Sequence, residues 1–324
     1  MTEPRLILGI GELLWDLFPV GSRPAGVSIG GSALNGLLGG APANFTVMAG
    51  RLGNHAAILS RIGRDDLGRK AIKQLDPLPV DTSHLQVDPL HETGCVTVSL
   101  KDGQPEYIIH QPSAWDFLEL SDEWVQLAER ADAICFGSLA QRSQESRQTI
   151  QSLAAQSSSA CLRIFDVNLR APFYSGETLQ ESLELATVVK MNDAEVPVVL
   201  SLLGLPADET PDTTKLRAGA VRLLAEFPAV RMVAITRGGN GSLLVARNEW
   251  HEHPGIPATV ADTVGAGDAF TAAMVHYLLR GADLPTLNEA GNRWGSWMAS
   301  QSGAMPALPD AIRSGIAAAI EARG

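Results

Sequence analysis

The sequence predicts an α/β fold, a doubly wound, mainly parallel sheet flanked by helices, with a small β-sheet lid. Over most of the 324 residues, short apolar runs alternate with stretches of helical periodicity, which is typical of βα units. In Thr93–His110, by contrast, polar and apolar residues alternate with period two on either side of a hairpin turn. Hydrophobic residues make up 45% of the chain, enough for one large core. We expect one domain over residues 1–324, with a lid formed by about 12–38 and about 90–115.

Each predicted strand of the main sheet is a short apolar run bounded by turn or helix signals. These runs are Leu6–Ile10, Ala56–Ser60, Ala133–Phe136, Leu162–Asp166, Val188–Met191 and Met232–Thr236. After the first run, small and apolar residues recur at near-helical spacing from Pro42 to Leu52, and Gly53 marks the helix end. Ser157–Ser159 and Pro206–Thr214 have loop composition. The alternation of strand and helix predicts parallel neighbours in the sheet.

The predicted lid comes from two excursions. Pro19–Leu38 is rich in Gly and Ser and indicates loop or short exposed strands. Thr93–His110 alternates polar and apolar residues, and Asp102-Gly103 supplies a hairpin turn. Ligands bind outside the carboxyl ends of strands in open α/β sheets, so an appendage inserted there would cover the site. Its exposed edges favour pairing with a second lid, and we expect a homodimer through the lid.

Composition excludes several function classes. A formal net charge of −11 disfavours general affinity for nucleic acid or for an anionic membrane. Cys95, Cys135 and Cys161 are far apart and form no CxxC, which argues against a disulfide framework or a structural zinc site. The start of the chain has no signal-peptide pattern, and no apolar run is long enough to span a bilayer. We expect a cytoplasmic enzyme that acts on small molecules.

The segment Asp262–Phe270 carries the clearest chemistry. The turn Gly265, Ala266 and Gly267 opens a stretch of helical periodicity, and its free N–H groups can bind an anion. Asp268 follows at the mouth of that anion hole. Its carboxylate can accept a proton from an attacking hydroxyl while the N–H groups stabilise the transferred phosphoryl group. The alternative interpretation is a glycine-rich turn with an aspartate helix cap.

Asp262–Phe270 looks like the second signature of the ribokinase-like sugar kinases, the PfkB family. Gly39–Asn44, with Gly53 and Gly63 downstream, resembles the first signature. Further matches are Gly11–Asp16 after the first strand, Asn192–Glu195 as the NxxE motif and Thr236–Gly241 as the nucleotide loop. The resemblance extends over nearly the whole chain. It implies a ribokinase-like fold and ATP-dependent transfer of the γ-phosphoryl group to a sugar hydroxyl.

The resemblance also implies residue roles on the sugar side. The residues expected to bind the sugar or the reacting oxygen are Asp16, Gly39, Gly40, Asn44, Arg170 and Asp268. Asp offers acceptors and Asn offers both donors and acceptors, a set that suits a polyol. Gly39 and Gly40 permit close approach of the sugar to the backbone. The alternatives are that Asn44 belongs to a helix N-terminal turn and that Arg170 is a surface arginine on a loop.

On the nucleotide side, the resemblance implies contacts with ATP, Mg²⁺ and K⁺. The expected nucleotide-binding residues are Asn192, Thr236, Gly238, Gly241, Gly267 and Asn292. Glu195 is expected to orient Mg²⁺ through water, because Mg²⁺ keeps several waters and shares phosphate oxygens. Asn192 and Glu195 can also form a capping pair at a helix start. Asp262, Val264 and Gly303 match the positions where family members hold a potassium ion.

The form of the motifs most resembles fructokinases, so D-fructose, giving fructose 6-phosphate, is the expected acceptor. Ribose, 2-keto-3-deoxygluconate and nucleosides stay open within the same chemistry. An NAD-dependent dehydrogenase is disfavoured because Gly9-Ile10-Gly11 lacks the third glycine of the dinucleotide fingerprint. A non-catalytic sugar-sensing protein is disfavoured by the intact Asp268. Gly63–Lys70 lacks the Lys-Ser/Thr ending of a P-loop, and we expect His251 and His253 to be surface residues.

Overall fold

The computed structural model describes residues 3–18, 35–101, 104–208 and 212–322. Its strands are β1 (Leu6–Ile10), β2 (Leu14–Phe18), β3 (Asn35–Gly39), β4 (His55–Leu59), β5 (Arg61–Gly63), β6 (Gln86–Asp88), β7 (Gly94–Lys101), β8 (Gln104–Ile109), β9 (Ala133–Gly137), β10 (Leu162–Asp166), β11 (Val188–Asn192), β12 (Met232–Thr236), β13 (Ser242–Ala246) and β14 (Trp250–His253). Its helices are α1 (Ala41–Arg51), α2 (Asp66–Leu75), α3 (Asp122–Arg130), α4 (Gln144–Gln156), α5 (Gly176–Leu185), α6 (Glu195–Leu202), α7 (Thr213–Glu226), α8 (Ala266–Leu278), α9 (Leu284–Ala299) and α10 (Asp310–Glu321).

The large sheet has eight strands in the order β14-β13-β12-β11-β10-β9-β1-β4. The strands from β12 to β4 run parallel, and β13 and β14 add an antiparallel edge. The strand predicted at residues 56–60 lies one residue earlier. Thr213 and Thr214, predicted as loop, already belong to α7, because the Asp212 carboxylate accepts the Lys215 N–H at 2.9 Å and starts the helix there.

Helices cover both faces of this sheet, as the doubly wound prediction requires. Alternate residues of each strand point to opposite faces. Ile7 and Cys135 belong to one core, which contains residues of α1, α8 and α9. Leu8 and Phe136 belong to the other, which contains residues of α3 to α7. The predicted mainly parallel sheet with flanking helices is therefore confirmed.

A smaller sheet stands apart from the large one, in the order β3-β2-β7-β8. Strand β2 pairs antiparallel with β3 and parallel with β7, and β7 pairs antiparallel with β8. Leu13, Trp15 and Leu38 pack with Val47 of α1 and Leu75 of α2 in a third core. The predicted small sheet is confirmed, whereas its action as a lid stays a prediction. The turn predicted at residues 102–103, and residues 19–34 of the first excursion, lie outside the described residues.

Within the part of the chain that the structure describes, no helix is both long enough and apolar enough to cross a bilayer. Residues 61–63 and 86–88 form a separate pair of short parallel strands, β5 and β6, beside the small sheet. The chain leaves the large sheet after β1 to form β2 and β3 and returns to it through α1 and β4. The carboxyl end of β1 therefore lies next to the start of α1, and a Cβ on Gly11 would lie 2.9 Å from Pro42 Cγ. This junction positions the candidate site.

Candidate active site

The N-terminus of α8 carries the predicted anion hole. Gly265 precedes the helix with a φ of 76°, a left-handed conformation that favours glycine. A Cβ on Gly265 would lie 3.1 Å from Ala304 Cα, so packing also selects glycine here. The Ala266 N–H donates to Thr263 O at 3.3 Å. The other N–H groups of a first helical turn have no intrahelical acceptor and remain available for an anion.

Asp268 lies in that first turn and meets the start of α1. The Asn44 Nδ2 group donates a hydrogen bond of 2.8 Å to Asp268 Oδ2, and both side chains are buried. Asn44 Oδ1 is also buried and has no hydrogen-bond partner among the described residues. An orphaned acceptor beside a carboxylate is a place where a ligand hydroxyl can donate. The structure thus joins the two predicted signatures at one point.

Burial raises the pKa of Asp268 to about 6, and the neighbouring Asp166 carboxylate adds to the rise. Lys190, the hydrogen bond from Asn44 and Arg170 oppose it. A carboxylate with a raised pKa is a stronger base toward a hydroxyl than an ordinary aspartate. The site therefore makes Asp268 a better proton acceptor than its residue type alone implies.

Asp16 lies on β2, opposite Leu37 of β3. Its carboxylate is next to Gly39, where an added Cβ would lie in ordinary van der Waals contact, 3.6 Å from Asp16 Oδ2. Burial raises the pKa of Asp16 to about 6, while Arg170 lowers it and Asp262 raises it. Gly40 has a φ of 110°, and its Cβ would lie 2.2 Å from Glu12 O. Glycine is therefore required at this turn by both conformation and space.

Arg170 extends from the loop after β10 toward these carboxylates. Its side chain is exposed, and its Nη1 donates to Leu169 O at 3.2 Å. The positive charge of the guanidinium nevertheless lowers the pKa of Asp16 and of Asp268. Arg170 therefore interacts electrostatically with both of these carboxylates. An exposed cation within reach of a phosphoryl group or a sugar oxygen fits the predicted role, which stays a prediction.

Sequence reasoning missed Lys190, which lies in the middle of β11. Its Nζ is 3.1 Å from Asp166 Oδ1, and the side chain of Lys190 is buried. Burial lowers the pKa of Lys190, but Asp166, Asp268 and Glu195 reverse this effect and leave the pKa raised. Thr271 Oγ1 donates to Asp166 Oδ2 at 3.3 Å. A lysine inside an apolar strand two residues before the NxxE motif was the available signal.

Sequence reasoning also assigned no role to Glu12, although this residue lies in the segment Gly11–Asp16 that resembles the family. Glu12 follows β1 and is only 3% exposed. Its Oε1 accepts the Ala41 N–H at 3.3 Å, and its Oε2 has no hydrogen-bond partner among the described residues. Burial raises the pKa of Glu12 to about 7. A glutamate directly after a buried strand of an α/β sheet was the available signal.

Asn192 and Glu195 form the reciprocal pair that the sequence allowed. The Asn192 N–H donates to Glu195 Oε2 at 2.8 Å, and the Glu195 N–H donates to Asn192 Oδ1 at 2.9 Å. Glu195 Oε1 also accepts the Leu169 N–H at 2.8 Å. Each carboxylate oxygen keeps a lone pair that can accept a metal-bound water. Burial raises the pKa of Glu195.

A direct metal cage is not present at this position. Among residues 3–18, 35–101, 104–208 and 212–322, no group of three or more His, Cys, Asp or Glu could hold an ion. Mg²⁺ usually keeps several waters and binds through one or two carboxylates together with substrate phosphates. The single carboxylate of Glu195, with a free lone pair on each oxygen, fits that mode of binding.

The predicted nucleotide loop follows β12. Gly238 has a φ of 54°, and a Cβ there would meet nothing within 4 Å, so the turn is open on that side. Gly241 has a φ of 80°, and its Cβ would lie 2.0 Å from His253 O. Thr236 ends β12, and its carbonyl accepts the Asp193 N–H at 2.9 Å. This hydrogen bond holds the end of β12 next to the Asn192 loop, and binding of a nucleotide there stays a prediction.

Two polar residues near the predicted nucleotide loop, His253 and Asn292, are buried. His253 was expected at the surface, and this is wrong: it is 4% exposed and its Nε2 lies 2.8 Å from Glu289 Oε2. The carboxylate of a neighbouring helix, α9, draws the imidazole inward. Asn292 is also buried, and its Nδ2 donates to Ser242 Oγ at 2.6 Å and to Asn288 O at 2.7 Å. Its contact with a nucleotide stays a prediction.

The predicted potassium positions are connected by one carboxylate. Asp262 Oδ1 accepts the Val264 N–H at 3.0 Å, and Asp262 Oδ2 accepts the Gly303 N–H at 3.2 Å. Gly303 has a φ of 77°. Asp262 thereby joins the turn before α8 to the loop after α9. The two loops that would supply carbonyl oxygens to a monovalent cation are held side by side.

The chain is similar to known sugar kinases in sequence and in fold. An uncharacterized sugar kinase from Pyrococcus horikoshii is 31% identical over 295 residues, covering 89% of this chain and 87% of its own. Its crystal structure superposes with a TM-score of 0.76 over 93% of each chain. A fructokinase from Escherichia coli is 28% identical over 84% of this chain and 88% of its own. A fructokinase from Vibrio cholerae, solved with fructose, ADP and calcium, is 27% identical with a TM-score of 0.75, covering 96% of this chain and 98% of its own.

The family profile of the pfkB family carbohydrate kinases matches residues 5–311. That range includes both predicted signatures, the Asn44–Asp268 contact, and the Asn192–Glu195 pair. It also includes every strand of the large sheet and of the small sheet. The chain therefore belongs to the PfkB family of carbohydrate kinases.

Proposed function

We propose that this sugar kinase transfers the γ-phosphoryl group of ATP to D-fructose and forms fructose 6-phosphate. The observation that carries the proposal is the buried hydrogen bond from Asn44 to Asp268 at the N-terminus of α8. This bond brings together a carboxylate, an amide oxygen with no partner among the described residues and the N-terminus of α8, and this grouping supports the proposal. A hydroxyl, its proton acceptor and the transferred anion all have partners there.

The reaction follows from these groups. The acceptor hydroxyl donates to Asp268, whose carboxylate orients it in line with the γ-phosphorus. The new oxygen–phosphorus bond forms as the bond to the β-phosphate oxygen breaks, and ADP leaves. Asp268 accepts the hydroxyl proton as charge develops and later releases it to solvent. The N–H groups of the turn Gly265, Ala266 and Gly267 stabilise the charge on the transferred group.

Glu195 holds the nucleotide side in position, through its bonds to the backbone of Asn192 and Leu169. Its carboxylate would accept hydrogen bonds from water on Mg²⁺. Mg²⁺, when bound, supplies neutralisation of the phosphate charge. A potassium ion beside Asp262 would fix the backbone of the anion hole before the phosphate arrives.

Fructose is favoured by the relatives. The E. coli protein is a fructokinase, and the V. cholerae structure contains fructose and ADP. The acceptor side of this chain combines Asp16, Asn44 and Arg170, whose mixed donors and acceptors suit several sugar hydroxyls. Ribose, 2-keto-3-deoxygluconate and adenosine would use the same transfer chemistry, so they are the competitors to test.

The test is a rate comparison across fructose, ribose, 2-keto-3-deoxygluconate and adenosine, with ADP formation measured by a coupled assay. We expect the highest kcat/KM with fructose, and phosphorus NMR should locate the phosphate on O6. A higher kcat/KM with another acceptor would replace fructose by that compound. Absence of ADP formation with all four, together with measurable sugar binding, would favour a sugar-binding protein instead.

A further inference from the structure

Glu12 is a buried carboxylate that contacts the acceptor turn twice. Its side chain accepts the Ala41 N–H at 3.3 Å, and its backbone carbonyl packs where a Cβ on Gly40 would stand, at 2.2 Å. The residue is 3% exposed, and Oε2 has no partner among the described residues. A buried polar atom left unpaired costs stability, so a structural explanation alone accounts poorly for a glutamate here.

The Ala41 N–H belongs to the first turn of α1, whose own sequence offers no anion. Gly40 supplies no side-chain cap, and the first turn carries no acidic residue. Glu12, on the loop after β1, therefore supplies a carboxylate to the N-terminus of α1 from outside the helix. One turn later in the same helix, Asn44 bonds its N–H to Gly40 O at 2.9 Å and its side chain to Asp268.

We propose that ionised Glu12 is a positioning residue for the acceptor, because it holds the Gly40–Ala41 turn and with it Asn44 in the sugar-binding conformation. The ionised carboxylate accepts a stronger hydrogen bond from the Ala41 N–H than a neutral carboxyl does. It also interacts more favourably with the N-terminal end of the helix. Protonation of Glu12 weakens both local interactions with the turn that the sugar contacts, although it relieves the larger cost of burying the charge and so favours the folded state as a whole. This proposal rests on the sugar-kinase activity and does not depend on which sugar is the acceptor.

The charges around Glu12 place its titration in the working range of an enzyme. Burial raises its pKa to about 7, while the backbone N–H groups of Glu12 and Ala41 and the charge of Arg170 lower it. Asp268, from α8, raises it. Cys135, in β9, faces the same region, and burial keeps its thiol protonated by raising its pKa well above the usual value.

Glu12→Gln separates charge from shape. The Gln side chain keeps an oxygen for the Ala41 N–H and has the size of a protonated glutamate, but it cannot ionise. For wild type, we expect the acceptor KM to fall about five- to tenfold between pH 6 and 8, the usual difference between a neutral and a charge-assisted hydrogen bond. Asp16, whose pKa is about 6, also titrates on the acceptor side, so in Glu12→Gln the acceptor KM should keep only the smaller change of about twofold that Asp16 causes between pH 6 and 8.

Two further readouts distinguish positioning from a general structural defect. The KM for ATP should stay within about twofold of wild type, and kcat should keep its own pH dependence, because Asp268 is untouched. Glu12→Asp keeps the charge but shortens the side chain by one methylene. Its acceptor KM should regain a dependence on pH at a higher absolute value. An acceptor KM that follows pH in Glu12→Gln as it does in wild type overturns the proposal.

Thermal melting tests the ionisation of Glu12 without any sugar substrate. The folded pKa of Glu12 lies above its ordinary value of 4.5, so its contribution to stability is lost as pH rises toward about 7. The Tm of Glu12→Gln minus that of wild type should therefore be near zero at pH 5 and positive at pH 8. Glu129→Gln, on the exposed face of α3, is the matched control and should show no such trend. A difference that is independent of pH overturns the proposal, even if fructose proves to be the wrong acceptor.

Discussion

Replacing Asp268 by Asn should lower kcat while raising stability, a combination that only a buried catalytic base predicts. The bond of 2.8 Å from Asn44 to Asp268 can survive, since the new amide oxygen can accept it. The substitution removes the carboxylate that would accept the hydroxyl proton. Loss of a general base typically costs about 10²–10⁴ in rate. We therefore expect kcat to fall by that range, about 3–5 kcal/mol of barrier.

The stability change follows from the pKa of the same group. Burial raises the pKa of Asp268 from 3.8 to about 6, so the folded state holds this proton more tightly than the unfolded state. Its stabilisation is complete below pH 3.8 and is lost as pH rises through 6. A shift of this size corresponds to about 3 kcal/mol at pH 8. The Asn side chain cannot ionise, so the variant does not lose this stability as pH rises. Asp268→Asn should therefore melt at a higher temperature than wild type at pH 8.

The assay measures kcat, ATP affinity and Tm for wild type and Asp268→Asn at pH 5 and 8. Wild-type kcat should decline on the acid side with a midpoint near 6, the pKa of Asp268. ATP affinity should be retained, because the glycine turn after β12 and the backbone of the anion hole are unchanged. If Asp268 only capped α8, Asn would replace it well and kcat would stay near wild type, whereas Tm at pH 8 would still rise because that rise follows from burial of the carboxyl group alone. A kcat within threefold of wild type would refute the catalytic assignment.

Three further predictions follow from the same site. Glu195→Gln should lower activity and raise the Mg²⁺ concentration needed for half-maximal rate, with partial recovery at high Mg²⁺; an unchanged Mg²⁺ titration would contradict the assignment. Potassium should activate the enzyme relative to a large organic cation at matched ionic strength, because Asp262 joins the two loops that would hold it; equal rates would remove the idea. The purified protein should elute as a homodimer paired through the small sheet, and light scattering that gives 34.4 kDa would contradict this.

The parts of the fold that sequence predicts best are those fixed by local pattern. The strand Leu6–Ile10 and the strand that ends at Asp166 are apolar runs, and the structure forms both with the predicted bounds. Gly265 could be predicted because a turn that opens a helix needs a residue tolerant of positive φ. The meeting of Asn44 with Asp268 could be anticipated only through the family motifs, since 224 positions separate the two residues.

The residues that sequence missed are buried ionisable side chains. Lys190 is stable in the sheet because Asp166, on the adjacent strand, lies 3.1 Å away. His253 turns inward because Glu289 of α9 receives it. In both cases the partner lies on another element of the fold, so the sequence around the residue does not identify it, although a lysine inside an apolar strand was itself a signal for Lys190. Local propensity assigns such side chains to the surface, because an unpaired charge belongs there.

Asp166 affects both the pKa of Asp268 and, through Lys190, the packing around Gly267 at the start of α8. Its carboxylate raises the pKa of Asp268 and holds Lys190 through one oxygen, while Thr271 donates to the other. Lys190 Nζ in turn lies 2.9 Å from where a Cβ on Gly267 would stand. A side chain at position 267 would therefore displace the lysine ammonium group from its place beside the start of α8. Because the lysine lowers the pKa of Asp268 and Asp166 raises it, the pair keeps a positive charge near the helix N-terminus without abolishing the basicity of Asp268.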